Sequence, residues 1–542
     1  MARSPLFKSL SQALRIAALA ARAKPGTPPV DELIEMALTR RRFLRNTAIG
    51  GAGLLITAGC SRPAAPANAT PGTATTPGTP GSRDPRIVIV GGGVAGLNAA
   101  YKLQKAGLKS TIYEGADRTG GRMFTATNLL GDGLTTELGG EFIDSGHEEM
   151  LALMVEFNLE KIDVESPEVE SLKPETYFIN GRHYTQAQCA RAFVPIAKHI
   201  LEDYDSMGEV VNYETEGGGA KFDRMTMAQY FDKIGATGWI RELFEVAYVT
   251  EYGLEASEQS ALNFIFLIGT GDLKNTKEAV LLGESDERYK VRGGNQRVVD
   301  ELAKRLEPQI QRRHRLEAVR AKGDGYTLTF QTGNGATDVD ADVVVMAIPF
   351  TMLREVKIDV PLPELKRRAI NELGYGMNAK VLVGFNSRPW QTLGYSGATY
   401  SDEMFQLAWD NSFLQPGAAG GLTLYSGGKL ALDAGQGSAE EAAARLLKGI
   451  ERAYPGTTKA RSGKVSRFHW PTYAWTKAAY ACYKPGQWTT IAGAEGLPVG
   501  NLFFAGEHCS YDFQGYMNGG AQTGADAAKA VMAKLSAATK AA

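Results

Sequence analysis

The chain has 542 residues, 44% hydrophobic and 22% charged, which excludes a disordered tail or a small disulfide-stapled module. Its 59 Lys and Arg against 60 Asp and Glu leave a net charge of −1, without the basic footprint that a nucleic-acid backbone demands, so nucleic acid is not expected as a partner. No uncharged apolar run reaches the ~18 residues of a membrane-spanning helix, and at roughly 100–200 residues per domain the length allows about two to four domains.

The first 83 residues read as an address and a tether. Arg40-Arg41-Arg42-Phe43-Leu44-Arg45 precedes the uncharged, weakly apolar stretch Asn46 to Gly59, a signal core too short to span a membrane. Paired arginines followed by Phe-Leu resemble the twin-arginine (Tat) export signal, which implies an already folded protein passed by the Tat machinery to the periplasm or cell envelope. Residues 1–59 are the expected signal segment. Thr57-Ala58-Gly59-Cys60 is similar to a lipoprotein box, which would anchor the protein through a lipid on Cys60, whereas Ala67-Asn68-Ala69 suits ordinary signal peptidase; both cleavage sites stay open. Residues 60–83, rich in Pro, Thr, Gly and Ala, are expected to be a flexible linker. Without residues 1–59 the chain carries 50 Lys and Arg against 57 Asp and Glu, a net charge of −7. Cys189, Cys482 and Cys509 lack Cys-x-x-Cys spacing, so neither a disulfide framework nor a metal site is indicated.

Arg86 to Val90 is a β-branched run, Gly91-Gly92-Gly93-Val94-Ala95-Gly96 follows, and Leu97 to Ala106 predicts a helix ending at Gly107. A second strand, Ser110 to Tyr113, ends in Glu114, 23 residues after Gly91. Strand, glycine turn, helix and acidic terminator make a dinucleotide-binding unit. Gly91 forms the tight turn, Gly93 lets backbone approach the pyrophosphate, Gly96 lets helix pack on strand, and Glu114 accepts the ribose hydroxyls; Val94 and Ala95, within the glycine turn, are expected cofactor-binding residues with them.

That unit alone does not separate NAD from FAD. Its continuation, Arg118-Thr119-Gly120-Gly121-Arg122, resembles the R-x-G-G-R signature of the flavin amine oxidases, the family of monoamine, polyamine and L-amino-acid oxidases. Four further stretches are similar to that family in its order: Val291 to Asn295, Ala341 to Pro349, Lys380 with the following VLVGFNSRPW, and Leu502 to Gly520. The resemblance implies an α/β fold with two domains. A Rossmann-like FAD-binding domain would be assembled from 84–145, 291–350 and 465–535, and a discontinuous α+β substrate domain from 146–290 and 351–464, with the active site between them. It further implies cofactor contacts from Arg118, Gly120, Gly121, Arg122, Gly506 and Glu507, the last near the ribityl and pyrophosphate groups. Val319, in a segment that reads as two antiparallel strands around a turn, would hold adenine through its backbone. Trp470, Tyr480 and Tyr516 would line the flavin face, the two tyrosines sandwiching the amine. Ala479 stands where mammalian monoamine oxidases have the cysteine that bonds the flavin, so the FAD is expected to be noncovalent. Read from residues alone, Lys380 belongs at a solvated strand end; the resemblance places it at the flavin, joined to N5 through a water, as a catalytic residue with Tyr480 and Tyr516.

Many L-amino-acid oxidases have, in the segment matching Glu137 to Asp144, an arginine for the substrate carboxylate; the matching residue here is Phe142. Glu141 and Asp144 offer negative charge instead, so together with Tyr480 and Tyr516 they are the expected substrate-binding residues, for a di- or polyamine or the far end of a basic amino acid. The expected reaction is oxidative deamination of an amine through an imine to a carbonyl, with O2 or a membrane quinone as acceptor. An L-amino-acid oxidase or dehydrogenase, an amino-acid 2-monooxygenase, a flavin isomerase or desaturase and a non-catalytic flavin scaffold remain alternatives. Oligomeric state is not legible.

Overall fold

The computed structural model describes residues 84–541 apart from 167, 169–170, 174–175, 209 and 270–285, together with positions 29 and 32. Those two positions apart, the expected export signal, the linker and Cys60 lie outside the described residues.

Ile87–Val90 is the centre of a five-stranded parallel sheet. Its order across the sheet is Leu502–Phe504, Val343–Met346, Ile87–Val90, Ser110–Tyr113, Ile310–Gln311. All four residues of Ile87–Val90 are buried, as a β-branched strand covered on both faces should be. The helix Val94–Lys105 starts three residues earlier than its apolar spacing predicts, because the glycine turn itself supplies its first turn. It packs against Gln296–Leu306 and the C-terminal helix Met517–Ala541, burying Leu97, Ala100, Val298, Val299, Leu302, Ala521 and Ala528 in one core.

The segment expected as two strands around a turn is the hairpin Arg315–Lys322 and Gly325–Thr332, extended by Gly335–Ala341. Lys357–Asp359 adds to its other edge, parallel to Arg315–Lys322, so this strand from the 351–464 stretch serves the nucleotide side.

A second large sheet has seven strands in the order Arg461–His469, Asn378–Phe385, Gly420–Gly427, Leu407–Asp410, Thr399–Ser401, Thr176–Ile179, Arg182–Tyr184. Arg461–His469 is continuous across the expected 464/465 boundary and pairs with Asn378–Phe385 along its length, since a ladder of hydrogen bonds does not stop at a change of composition. On one face Val381, Val383, Leu422 and Leu424 pack with Leu446, Leu447 and Ile450 of the helix Ala439–Ala453. The other face is aromatic, with Tyr177, Tyr400, Trp409 and Tyr425 packed among residues of Gln186–Asp205, Gly238–Tyr252 and Ala261–Gly269. The first of these helices begins at a capping box in which Thr185 and Gln188 satisfy each other's backbone amides.

Candidate functional site

Gly91 has φ +105°, and a Cβ there would lie 2.5 Å from the carbonyl oxygen of Ala347. A Cβ at Gly96 would lie 2.0 Å from the Gly91 carbonyl oxygen. Both positions therefore require glycine, one for the turn and one for helix-on-strand packing. Around Gly93 the space is open, the nearest atom to an added Cβ being Gly121 Cα at 4.0 Å, so backbone there can be approached by a ligand. Glu114, at the end of the second strand, accepts the amides of Gly92 (2.6 Å) and Ala116 (2.7 Å). Burial raises its carboxyl pKa, and those two amides offset part of the rise.

The Arg118–Arg122 loop docks on this turn: the Gly120 amide donates to the Gly92 carbonyl at 2.8 Å. Arg118 folds back on its own loop, donating to Thr119 and Gly121 carbonyls and lying over the Phe124 ring at 3.8 Å, while its buried Nε has no protein partner. The walls of the resulting cleft include Gly91, Gly93, Val94, Ala95, Glu114, Arg118, Gly120, Gly121, Arg122, Gly506, Glu507 and Tyr516. Tyr473, Trp475, Thr476 and His508 also line it, without having been singled out as site residues from the sequence. A glycine cradle, an acid at the strand end and an orphaned arginine nitrogen fit a phosphate-bearing dinucleotide.

Three expectations change here. Val319 does not line the cleft; it is fully buried, paired with Leu328 on one side and Ile358 on the other. Strands on both edges occupy the backbone face that an adenine would need. The segment that reaches the cleft is His314 to Glu317, where the ladder is shifted between Leu316 and Ala318. Glu507, expected to accept cofactor hydroxyls, is first a structural tie: Oε1 accepts from Arg122 (2.7 Å) and the Ala481 amide (3.3 Å), and Oε2 accepts the Gly515 amide (2.8 Å). Burial pushes its carboxyl upward, but the Arg122 charge and these hydrogen bonds outweigh burial and hold it below its ordinary value. The carboxylate thereby fastens the neighbours of Tyr480 and Tyr516 to the flavin-signature loop. Trp470 is buried outside the cleft lining, its indole N–H donating to the Leu138 carbonyl at 3.2 Å, with Phe468 and Tyr473 against its ring.

Lys380 is buried rather than at a solvated strand end, and its ammonium donates to the carbonyls of Glu137 (3.1 Å) and Gly139 (2.8 Å) and to Glu141 Oε2 (2.7 Å). Three donors meet three protein acceptors, so the structure leaves no N–H for the expected water. Glu141 is fully buried, with its second oxygen bonded to Lys290 at 2.6 Å. Burial opposes its ionisation, but the two lysines win and hold its pKa below the usual range. Glu141 is thus a neutralised structural carboxylate and not an open cation anchor. Nearby Glu137, bonded to Thr125 and the Asn295 amide, is pushed up to about 7, mainly by burial. Asp144 is also internal: Oδ1 accepts the Glu287 amide at 2.9 Å, and its own amide donates to His147 Nδ1 at 2.9 Å. The His147 ring in turn stands edge-on to Tyr516, centroids 4.9 Å apart.

Directly opposed residues of a sheet share a face. Lys380 opposes Tyr425 and Phe468, and Tyr425 opposes Leu407, two residues from Trp409. This register assembles an aromatic wall around the lysine, whose ammonium lies 5.2 Å from the Trp409 ring centre. Tyr480 is joined to the wall by a 3.1 Å contact between its hydroxyl and that of Tyr425, and also donates to the carbonyls of Thr250 and Glu251. Buried Glu251 and Glu287 act electrostatically on Tyr425, and Glu251 also on Tyr480. Glu287 has φ +44°, a backbone conformation costly for a residue with a side chain. Tyr425, Trp409, Glu251 and Glu287 were not legible as site residues, because each stands in an ordinary strand or helix pattern.

The sequence profile of the flavin-containing amine oxidoreductases matches residues 94–532. The chain is 25% identical over 469 residues to a flavin-containing amine oxidase of Oncorhynchus mykiss, covering 83% of this chain and 86% of that protein. It is 26% identical over 468 residues to polyamine oxidase 2 of Arabidopsis thaliana, covering 83% and 88%. Among solved structures it resembles cyclohexylamine oxidase from Brevibacterium oxydans (TM-score 0.73, 22% identity, 84% and 100% covered). It also resembles a putrescine oxidase bound to putrescine (TM-score 0.70, 22% identity, 83% and 99% covered).

Proposed function

From the premise that the chain belongs to the family of flavin-containing amine oxidoreductases, with FAD as its cofactor, we propose that it oxidatively deaminates a primary amine or polyamine, with O2 as electron acceptor. The overall reaction would convert R–CH2–NH2, O2 and water into R–CHO, ammonia and H2O2. When bound, FAD supplies the two-electron acceptor for the α-carbon hydrogen of the amine. The cleft residues from Gly91 to Arg122 would hold its dinucleotide, and Ala479 has no nucleophilic side chain to bond it covalently.

The observation that carries the substrate class is the aromatic face of the seven-stranded sheet beside Lys380. Phe142, and not an arginine, stands edge-on to Trp409 with centroids 6.2 Å apart, which disfavours an amino acid whose carboxylate needs a bidentate partner. Tyrosine rings with buried Glu251 and Glu287 nearby suit a cation-bearing chain, since the rings and the acids both attract ammonium while the apolar wall excludes water. The putrescine-binding and polyamine-oxidising relatives support the same class.

Anaerobic bleaching of the flavin absorbance across mono-, di- and polyamines and the common L-amino acids tests this reading. Reduction by di- or polyamines and none by amino acids is expected. Glu251→Gln should raise KM for a diamine by about tenfold, the scale of one charge-assisted hydrogen bond; reduction by amino acids alone would sink the assignment.

The proposal extends to export, on the strength of Arg40 to Leu44 and the uncharged residues 46–59. Replacing Arg40, Arg41 and Arg42 by Lys should leave the protein in the cytoplasmic fraction, whereas unchanged envelope fractionation would remove a twin-arginine route.

A further inference from the structure

Two of the stretches that wall the dinucleotide cleft, Tyr113 to Ala116 at the end of the second strand and Tyr473 to Thr476, are remote in the chain and meet at one ring. A Cβ built on Gly115 would lie 2.4 Å from Cζ3 of Trp475, 2.8 Å from its Cε3 and 3.0 Å from its Cη2. The benzo edge of the indole therefore rests on the Gly115 backbone, one residue beyond Glu114. Gly115 is outside the left-handed region, so it is the ring and not the backbone that requires glycine there. Trp475 is only half-buried, so its ring closes a rim and is not part of a core.

The turn that carries this ring is fixed at its base. The amides of Thr476 and Lys477 both donate to the Tyr473 carbonyl, at 3.2 and 2.9 Å, and Lys477 takes a left-handed φ of +54°. Thr351 donates to the Thr476 carbonyl at 2.6 Å, and Lys477 is paired with Glu355. Behind them the Tyr473 ring packs on Phe468 and Trp470, with centroids 5.4 Å away in both cases. From this anchored base a large apolar side chain reaches the opposite wall. In a dinucleotide-binding unit the acid at the strand end takes the ribose of the adenosine half, so the contact at Gly115 marks that end of the cleft.

We propose that Trp475 is a cofactor-retaining residue: its indole closes the cleft over the adenosine half of FAD, and FAD leaves only when the ring swings off Gly115. Ala479 offers no covalent tether, so retention rests on noncovalent closures of this kind. The inference depends on FAD as the cofactor and not on which amine is oxidised, and no amine enters its test.

The test is the rate of FAD release, read as flavin fluorescence gained on dilution of the holoenzyme, for the parent, Trp475→Ala, Trp475→Phe, Gly115→Ala and the Gly115→Ala/Trp475→Ala double variant. Trp475→Ala is expected to release FAD about fivefold faster or more, the scale of one large apolar contact, with Trp475→Phe slower than Ala because a ring is partly restored. Gly115→Ala, which pushes the indole off its seat, should speed release in the parent and add little to Trp475→Ala. An increase below about fivefold for Trp475→Ala, Phe as fast as Ala, or a Gly115→Ala effect undiminished in the Ala background overturns the proposal. Thermal unfolding of each apoprotein separates these outcomes from misfolding. Should Trp475→Ala fail to fold, the parent still decides, since the chain has only 6 Trp: in fluorotryptophan-labelled apoprotein, the fluorine resonance that Trp475→Phe lacks should shift when FAD is added. An unmoved resonance overturns the assignment.

Discussion

Lys380→Met is expected to lower the unfolding free energy by about 3–5 kcal/mol, the cost of leaving one member of a buried ion pair without its partner. Glu141 is fully buried between two ammonium groups, at 2.7 Å from Lys380 and 2.6 Å from Lys290. Removing Lys380 strips one of them and also orphans the carbonyls of Glu137 and Gly139 that the ammonium now serves. Glu137, already held near 7 by burial and by the charge on Glu141, gives the cluster little room to accommodate more negative charge. Denaturant unfolding of Lys380→Met, Glu141→Gln and the double variant checks this. The double variant should cost less than the sum of the singles, because neither partner is then left charged and alone. A Lys380→Met protein as stable as the parent, with only turnover impaired, would mean that the lysine opens toward the cofactor when FAD is bound, as the family resemblance first implied.

Glu507→Gln is expected to cost about 2–5 kcal/mol in FAD binding and to lower kcat as well, because the carboxylate is the charged partner of a buried hydrogen-bonded pair. Every group around it donates: Arg122 and Ala481 to Oε1, Gly515 to Oε2. An amide has one oxygen for these donors and turns an NH2 against the rest. Arg122 also donates to the carbonyl of Ala479, so loss of its counter-charge loosens the strand of chain leading to Tyr480. On the other side Gly515 precedes Tyr516. Flavin content of the purified variant and FAD titration of its apoprotein measure the first effect, and steady-state kinetics with the best amine the second. Unchanged flavin retention with a normal kcat would show that the tie is dispensable and that Arg122 alone organises the loop.

The aromatic face around Lys380 illustrates how far a sequence reading reaches. Tyr480 and Tyr516 stood out through their places in a family pattern; the structure sets the Tyr480 hydroxyl against that of Tyr425 and the Tyr516 ring against that of His147. The surroundings of the acids were not legible. Glu141 and Asp144 carry charge in a segment near the substrate, but whether a carboxylate is available depends on what faces it. Lys290 is 149 residues from Glu141 and Lys380 is 239 residues away, so no local pattern announces the neutralisation. Val319 failed for a related reason. The hairpin was evident from alternation, but Lys357–Asp359 joins its outer edge from a remote stretch and takes up the backbone side on which an adenine would sit.

By itself the sequence determined the parts whose geometry is local. The glycine turn was readable because Gly91 and Gly96 are needed within a few residues of chain, where a side chain would strike backbone. The acid at Glu114 was readable because a parallel strand of known length delivers it beside that turn. Only the tertiary structure decided which charges are spent and which groups are left over. Burial makes that decision: a lysine on a central strand keeps its charge only where an acid and carbonyls from distant loops meet it, and a histidine stays neutral where no such partner arrives.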